Sequence, residues 1–347
     1  MPESPPMSRP TIADLAVAAS VSVSTVNRVL SGREHVRSGT VELVLAAAER
    51  IGFYGVRSIR NRLHARRESL TFGILLLQGN RSFYRGIGQA LERAAAAVGD
   101  LQITLQIEFM DDLSPDVVAE RMEHLGEAAD AIAVVTAEHP RITQAIEKLA
   151  ARGVPTFALI SQLTAATGVG YIGLDNWKKG RTSAWLFSKM CPNPGKIGIL
   201  VGNHRYRSQE LNEIGFRSYF REHYPAFQLL EPLSTYETVA IAQEVTEKLI
   251  ATTPDLIGLF ISGGGVRGAL AALRDAKPQK RIIVVGYERT AETQAALIGG
   301  ILDAVLAHPV ERMASEAISA MREAVAEPKL ATRSVIIPFD IFTSENL

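Results

Sequence analysis

The spacing of hydrophobic positions changes near residue 70. Before it, apolar residues recur every three or four positions in short segments, which is the period of an amphipathic helix. Three short helices are predicted on this basis: 12–19, 23–30 and 40–51. Thr11 and Ser22 precede the first two helices as side chains suited to N-capping. From Leu70 onward, short apolar runs alternate with longer helical patterns, which predicts a different architecture.

The second part of the chain has the pattern of repeated strand–helix units. Buried strands are predicted at Phe72–Leu77, Ile103–Phe109, Ala131–Val135, Thr156–Ile160, Tyr171–Leu174, Ile197–Val201, Leu256–Ile261, Ile282–Gly286 and Ile301–Leu306. Helices are predicted between them, for example Phe83–Val98, Ala145–Arg152, Arg207–His223, Val239–Thr252 and Val310–Ala326. Alternation of this kind indicates an α/β fold with parallel strands covered by helices. Because the strands are too many for one compact sheet, we expect two lobes with two parallel sheets, joined at Pro192–Gly195.

Composition adds limits to this picture. With 47% hydrophobic and 21% charged residues, the chain has the make-up of a soluble globular protein. It contains no run of 18 apolar residues, and its N-terminus lacks the apolar stretch of a secretory signal. The single cysteine, Cys191, excludes an intramolecular disulfide. We therefore expect a cytoplasmic protein that does not span a membrane and needs no metal or cofactor.

Charge is distributed unevenly although its formal sum is zero. Residues 1–68 contain ten arginines, no lysine and six acidic residues, whereas the remainder is acidic to the same extent. A basic module attached to an acidic one is typical of a nucleic-acid-binding domain joined to a domain with another task.

A long, ordered motif occupies the first helices. The stretch TIADLAVAASVSVSTVNRVLSG, from Thr11 to Gly32, resembles the helix-turn-helix of the lactose-repressor (LacI/GalR) family, and AAERIGF at 47–53 continues the resemblance. This implies base contacts by Val23, Ser24 and Arg28, where the arginine can bond guanine O6 and N7. It implies phosphate contacts by Thr11, Ser22, Thr25, Asn27 and Thr40. The sequence departs from the family at Ser20, where glycine is usual, and at Asn27, where serine is usual.

The basic segment that follows matches the hinge helix of the same family. Leu63 stands where relatives insert a leucine into the minor groove, and Arg57, Arg60 and Arg62 suit contacts to the flanking phosphates. This hinge is more basic than usual.

Residues 70–342 resemble the sensor domain of that family, which shares the fold of periplasmic sugar-binding proteins. Candidate ligand residues follow predicted strands or match family positions: Asn80, Phe83, Tyr84, Asp175, Asn212, Glu288 and His308. Asn212 replaces an arginine that often clamps the ligand in relatives. Because that arginine is missing and the carboxylates of Asp175 and Glu288 are present, a neutral sugar or polyol is expected.

One motif favours another class of protein. Gly263-Gly264-Gly265-Val266-Arg267-Gly268 fits the dinucleotide pattern G-x-G-x-x-G, and Glu288 follows at the expected distance. An NAD-dependent oxidoreductase is therefore the main alternative, although no acid–base pair accompanies the motif. A secreted sugar-binding protein is a second alternative, against which the missing signal peptide argues.

The sequence as a whole predicts a DNA-binding repressor, not an enzyme, regulated by a small polar ligand. Two operator half-sites require two recognition helices, so a homodimer on double-stranded DNA is expected. The predicted domains are a flexible N-terminus (1–9), the DNA-binding domain (10–56), the hinge (57–68) and the sensor (69–347). Within the sensor, we expect one lobe from 70–191 and 309–329, and the other from 192–308 and 330–347.

Overall fold

The computed structural model describes residues 10–31, 38–54, 56, 69–276 and 280–347. The chain divides into two compact units, one with the first 69 residues and the other with nearly all of the rest. Each has its own apolar core.

The first unit is a three-helix domain, as predicted. Its helices are α1 (Ile12–Ala18), α2 (Val23–Ser31) and α3 (Ser38–Arg50). Leu15, Val26 and Val44, one from each helix, are fully buried together and hold the three helices around one core. No single described helix is long and apolar enough to cross a membrane, and α1 and α2 pass that test only as a pair bent by 109°.

The turn between α1 and α2 depends on Ser20. Its φ of 54° places it in the left-handed region, where glycine is favoured. The Val21 amide donates to the Ala16 carbonyl at 3.0 Å and the Ser20 amide to Val17 at 3.1 Å, so the last carbonyls of α1 are satisfied by a Schellman-type cap. The serine keeps the turn at a cost of about 1 kcal/mol relative to glycine.

The second unit contains thirteen described strands and nine described α-helices. The strands are β1 (Ser69–Leu77), β2 (Gln102–Met110), β3 (Ala131–Val134), β4 (Thr156–Leu159), β5 (Gly170–Leu174), β6 (Lys196–Val201), β7 (Gln228–Leu229), β8 (Leu233–Ser234), β9 (Leu256–Ile261), β10 (Ile283–Tyr287), β11 (Ala304–Ala307), β12 (Ser334–Ile337) and β13 (Asp340–Phe342). The helices are α4 (Ser82–Ala96), α5 (Pro115–Leu125), α6 (Pro140–Ala151), α7 (Asn176–Met190), α8 (Arg207–His223), α9 (Val239–Thr252), α10 (Val266–Ala276), α11 (Ala291–Ile298) and α12 (Val310–Ala326), followed by a 3-10 turn at Pro328–Thr332.

These strands form two sheets, which confirms the predicted fold class. The first sheet has the order β12-β5-β4-β3-β1-β2, and the second has the order β13-β11-β10-β9-β6-β7 with β8 also paired to β6. The pairs β1–β3, β3–β4, β4–β5 and β5–β12 are parallel, whereas β13 runs antiparallel to β11. Strands β3 to β5 are buried at every position because helices cover both faces of the sheet. Along most of the edge strand β2, exposed side chains alternate with half-buried ones.

The predicted connection between the lobes was placed too late in the chain. Helix α7 packs on α8 and on the second sheet. Its Phe187 joins Phe216 and Phe260 in the apolar core against that sheet. The chain therefore crosses at Asp175, where β5 ends, and not at Pro192–Gly195. The apolar face of α7 packs in the core against the second sheet, so α7 belongs to the second lobe.

The C-terminal segment also differs from the prediction. Residues 330–347 were expected in the second lobe, but β12 pairs with β5 in the first sheet, and β13 joins the second. The chain thus crosses between the lobes three times, after β5, after β11 and after β12.

Helices α7 and α8 approach each other closely through two glycines. An alanine Cβ at Gly180 would lie 2.0 Å from the carbonyl oxygen of Asn212, and one at Gly215 would lie 2.2 Å from that of Trp177. Each glycine thus faces the backbone of the other helix. This contact sets the position of Asn212, which lies in the cleft described below.

Cys191 directly follows α7 and is buried in the core against the second sheet, so its thiol should react slowly. Burial raises the pKa of the thiol to about 11, and the negative charge of Asp303 contributes in the same direction. Because the thiolate is the reactive form, we expect slow reaction with Ellman's reagent in the native protein at about pH 8. The same chain unfolded in urea is the control and should react much faster. Equal rates in the two states would contradict the burial of this thiol.

Candidate ligand-binding cleft and DNA-binding surface

A cavity of about 410 Å³ lies where strands of both sheets end. The first lobe contributes the segment after β1, from Gln78 to Tyr84, and Ile160 after β4. The second lobe contributes residues of α7 and α8, the glycine loop after β9, and the end of β10. The volume is in the range of small-molecule sites.

Most of the predicted ligand residues meet in this cavity. Its lining includes Asn80, Phe83, Tyr84, Asn212, Glu288 and His308. Asp175 is absent from the described lining. Its Oδ1 accepts from the Lys178 amide at 3.0 Å, so the carboxylate caps α7. A short acidic side chain just before a helix is well suited to that role, which the sequence pattern did not distinguish from ligand binding.

Glu288 and His308 form a tight pair within the cavity. Nδ1 of His308 donates to Glu288 Oε1 at 2.7 Å, and the His308 amide donates to Oε2 at 3.2 Å. Burial alone would raise the pKa of Glu288, but His308 and the nearby Lys179 outweigh it and lower that pKa. Because Nδ1 donates to Glu288, Nε2 is the ring nitrogen of His308 that remains for a ligand.

Three buried polar atoms of the lining have no hydrogen-bond partner among the described residues. They are Asn212 Oδ1, Ser262 Oγ and His308 Nε2. Buried polar groups are nearly always paired, so these atoms indicate a ligand that supplies hydroxyl donors and acceptors. The rings of Phe83 and Tyr84 lie beside them, with centroids 5.2 Å apart, and offer apolar faces to a sugar ring.

An ion pair that the sequence analysis missed joins the two lobes across the cavity. Arg81, after β1, donates to Glu237 Oε2 through both terminal nitrogens at 2.9 and 3.0 Å. Glu237, after β8, also accepts from Gln209 Nε2 at 2.7 Å and from the Gly264 amide at 3.3 Å. Its φ of 59° is in the left-handed region, as is that of Tyr236. The second lobe thus presents the carboxylate on a constrained backbone, and we call this pair the Arg81–Glu237 bridge.

The glycine-rich loop, Gly263–Gly268, packs closely against the Arg81–Glu237 bridge. A Cβ at Gly264 would lie 1.6 Å from a carboxylate oxygen of Glu237, and one at Gly263 would lie 2.2 Å from Gln209 Oε1. Gly268 packs against the α9 backbone at Val239. Close packing therefore accounts for these three glycines without a bound dinucleotide.

Lys179 is a second cleft residue that the sequence analysis missed. It is in the first turn of α7, lines the cavity, and places Nζ 4.0 Å from the centre of the Tyr287 ring. Burial lowers the pKa of its ammonium group to about 8, an effect that Glu288 partly offsets. A helical lysine within a polar run gives no sign in the sequence that it is buried.

The predicted DNA-reading side chains share the outer face of α2. Val23, Ser24, Asn27 and Arg28 are exposed, whereas Val26 and Val29 of the same helix are buried. The predicted phosphate contacts are partly occupied by capping: Thr11 accepts from the Asp14 amide and Ser22 from the Thr25 amide. Thr25 and Thr40 are half-buried. The hinge residues Arg57, Arg60, Arg62 and Leu63 lie outside the described residues.

Both units match known families. Residues 11–55 match the model of bacterial regulatory proteins, lacI family, and residues 72–329 match that of the periplasmic binding protein domain. The chain is 25% identical over 334 residues to an uncharacterized HTH-type transcriptional regulator in the aml 5′ region of Streptomyces limosus, spanning 91% of this chain and 88% of that protein. It is 26% identical over 252 residues to the sucrose operon repressor of Streptococcus mutans, spanning 72% of each.

Two solved structures of solute-binding proteins have the same fold as the second unit. One from Agrobacterium vitis, bound with α-D-tagatopyranose, has a TM-score of 0.72 at 19% identity and covers 80% of this chain and 95% of its own. One from Actinobacillus succinogenes, with bound D-allose, has a TM-score of 0.71 at 18% identity and covers 80% and 98%. At these identities, the likeness concerns the fold alone.

Proposed function

Because this chain belongs to the lacI family of bacterial regulatory proteins, with a periplasmic binding protein domain as its second unit, we propose that it is a transcriptional repressor controlled by a sugar. The operator is read by the exposed face of α2. The sugar binds in the cavity between the two lobes and changes the affinity for the operator.

The observation that carries this proposal is the presence of both surfaces on one chain. A helix with short side chains at its start and an arginine one turn on is suited to enter the major groove. A cleft with three unpartnered polar atoms beside aromatic rings is suited to a polyhydroxylated ligand. Regulators similar to this chain over most of its length, including the sucrose operon repressor, support the combination.

Further parts of the proposal follow from the chemistry of operator binding. Two half-sites require two recognition helices, so the active species is a homodimer. DNA binding places the protein in the cytoplasm, which agrees with its single buried thiol. Ligand binding biases two arrangements of the lobes, and the basic hinge at 57–68 transmits that bias to the DNA-binding unit. No catalytic step is assigned to the cleft.

Arg28→Ala tests the DNA-reading surface. On an operator selected from random duplexes with the wild-type protein, we expect a loss of about 1–3 kcal/mol, or roughly 5- to 150-fold in affinity, measured by fluorescence anisotropy. Random DNA should lose far less, because only the operator offers the guanine contact. Arg221→Ala, which removes the same charge from an exposed position in the second unit, is the matched control and should change neither. Equal losses of affinity for the operator and for random DNA would show that Arg28 contacts DNA phosphates and not a base.

A further inference from the structure

Lys179 is a buried cation for which the described part of the chain provides no acceptor. The residue is 3% exposed and lines the cavity, yet its Nζ makes no hydrogen bond or ion pair with any described residue. Its Nζ lies over the face of the Tyr287 ring, 4.0 Å from the ring centre. A cation–π contact of this kind attracts the ammonium group but accepts none of its three N–H bonds.

The two carboxylates of the cavity are already engaged elsewhere. Both oxygens of Glu288 accept from His308, at 2.7 and 3.2 Å. Those of Glu237 accept from Arg81, Gln209 and the Gly264 amide. Glu288 is near enough to favour the charged form of Lys179, but it does not approach within the 4.0 Å of an ion pair.

A charged group on a largely buried side chain is costly unless it has a partner, and such groups are normally paired. Hydroxyl groups of a neutral sugar accept the protons of the Lys179 ammonium group but form no ion pair with it. An anionic group on the ligand does both. The polar atoms of Asn212, Ser262 and His308 remain for the hydroxyls of the same ligand.

We propose that the sugar bound in this cleft is acidic, a polyhydroxylated ligand with one carboxylate or phosphate that pairs with Lys179. This inference rests on the proposed function and replaces the neutral ligand expected from the sequence. That expectation relied on Asn212, which stands on α8 in place of a clamping arginine. The cation is instead supplied from α7, the helix that Gly180 holds directly against Asn212.

The test compares neutral sugars with acids derived from them. Wild-type protein is titrated by calorimetry with D-glucose, D-gluconate, D-glucuronate and D-glucose 6-phosphate, and with the corresponding galactose series. We expect at least one acid to bind about tenfold or more tightly than its neutral parent. The carboxylate and phosphate members show which anionic group is accepted. A neutral parent that binds as tightly as its acids, or a panel in which no acid binds, would overturn the proposal.

Lys179→Met tests the assignment to this residue, because methionine keeps most of the apolar stem and removes the charge. We expect it to weaken the binding acid by about 10- to 100-fold and to change the neutral parent little. Its melting temperature should be unchanged or higher, since no protein acceptor is lost. Lys178→Met is the matched control: Lys178 is exposed and pairs with Asp175 outside the cavity, so acid affinity should not change. Equal acid affinities for Lys179→Met and the wild type would refute the assignment.

The outcome is separable from that of the proposed function. Operator affinity of the wild-type protein without any sugar is measured on the same preparation. If operator binding is found and no acid binds, the acidic ligand is wrong and the repressor stands. If an acid binds and no DNA is recognised, the cleft assignment holds without the repressor.

Discussion

Gly180→Ala is expected to lower the free energy of unfolding of the second unit by about 1–3 kcal/mol, or more if the backbone cannot adjust. The new methyl group would lie 2.0 Å from the Asn212 carbonyl oxygen and 2.8 Å from its carbonyl carbon. No rotamer change relieves this clash, because the obstructing atoms belong to the α8 backbone. The helices must separate, and the aromatic core beneath them, in which Phe187 and Phe216 meet edge to face, must loosen.

The measurement is a urea denaturation curve followed by circular dichroism, with Gly86→Ala as the control. Gly86 also lies inside a helix, α4, but no described atom lies within 4 Å of its Cβ position. Alanine there should stabilise the protein by about 0.5–1 kcal/mol, because it restricts the unfolded chain and favours helix. If Gly180→Ala unfolded at the same urea concentration as the wild type, the close approach of α7 and α8 would be wrong.

Arg81→Met should open the cleft of the ligand-free protein. Removing one partner of a buried ion pair costs about 3–5 kcal/mol when the other charge stays buried. Arg81 is 25% exposed, and Glu237 regains water if the lobes separate, so the cost should appear as opening rather than as unfolding. We therefore expect a larger radius of gyration by small-angle scattering, with only a modest fall in melting temperature.

The control for this change is an ion pair within one lobe. Arg93 on α4 pairs with Glu311 on α12, and both side chains are more than half exposed. Such surface pairs contribute little because water screens them, so Arg93→Met should leave the scattering profile unchanged. A profile for Arg81→Met that matches the wild type would show that the Arg81–Glu237 bridge does not hold the lobes together.

What the sequence could predict follows from how local each signal is. The helical pattern predicted α2, and the resemblance of Thr11–Gly32 to a known helix-turn-helix predicted its DNA-reading residues. The structure buries Val26 and Val29 and exposes Asn27 and Arg28. Glu288 was found because it follows a predicted strand, and parallel strands end at the cleft. His308 was found because it matches a position that is glutamine in many relatives. Asp175 follows a predicted strand as Glu288 does, but it also precedes a helix, and capping takes its carboxylate.

The features that were missed depend on distant pairings. Arg81 and Glu237 are 156 residues apart, and neither is marked by the pattern around it. The lobe to which α7 belongs is decided by contact of its apolar face with α8, which one helix alone does not reveal. The glycine loop carried a real signal, but tight packing and phosphate binding require the same residue type. Only the side chains opposite the glycines, Glu237 and Gln209, distinguish the two uses.

The triple crossing of the chain has a consequence during synthesis on the ribosome. Strands β12 and β13 supply one edge of each sheet, and they follow every other element of the second unit. Neither lobe can complete its sheet until residues 334–342 have left the ribosome. The three-helix unit closes its core with residues 12–53 and can fold while most of the chain is still untranslated. The three-helix unit of a nascent chain is therefore folded well before either lobe of the second unit is complete.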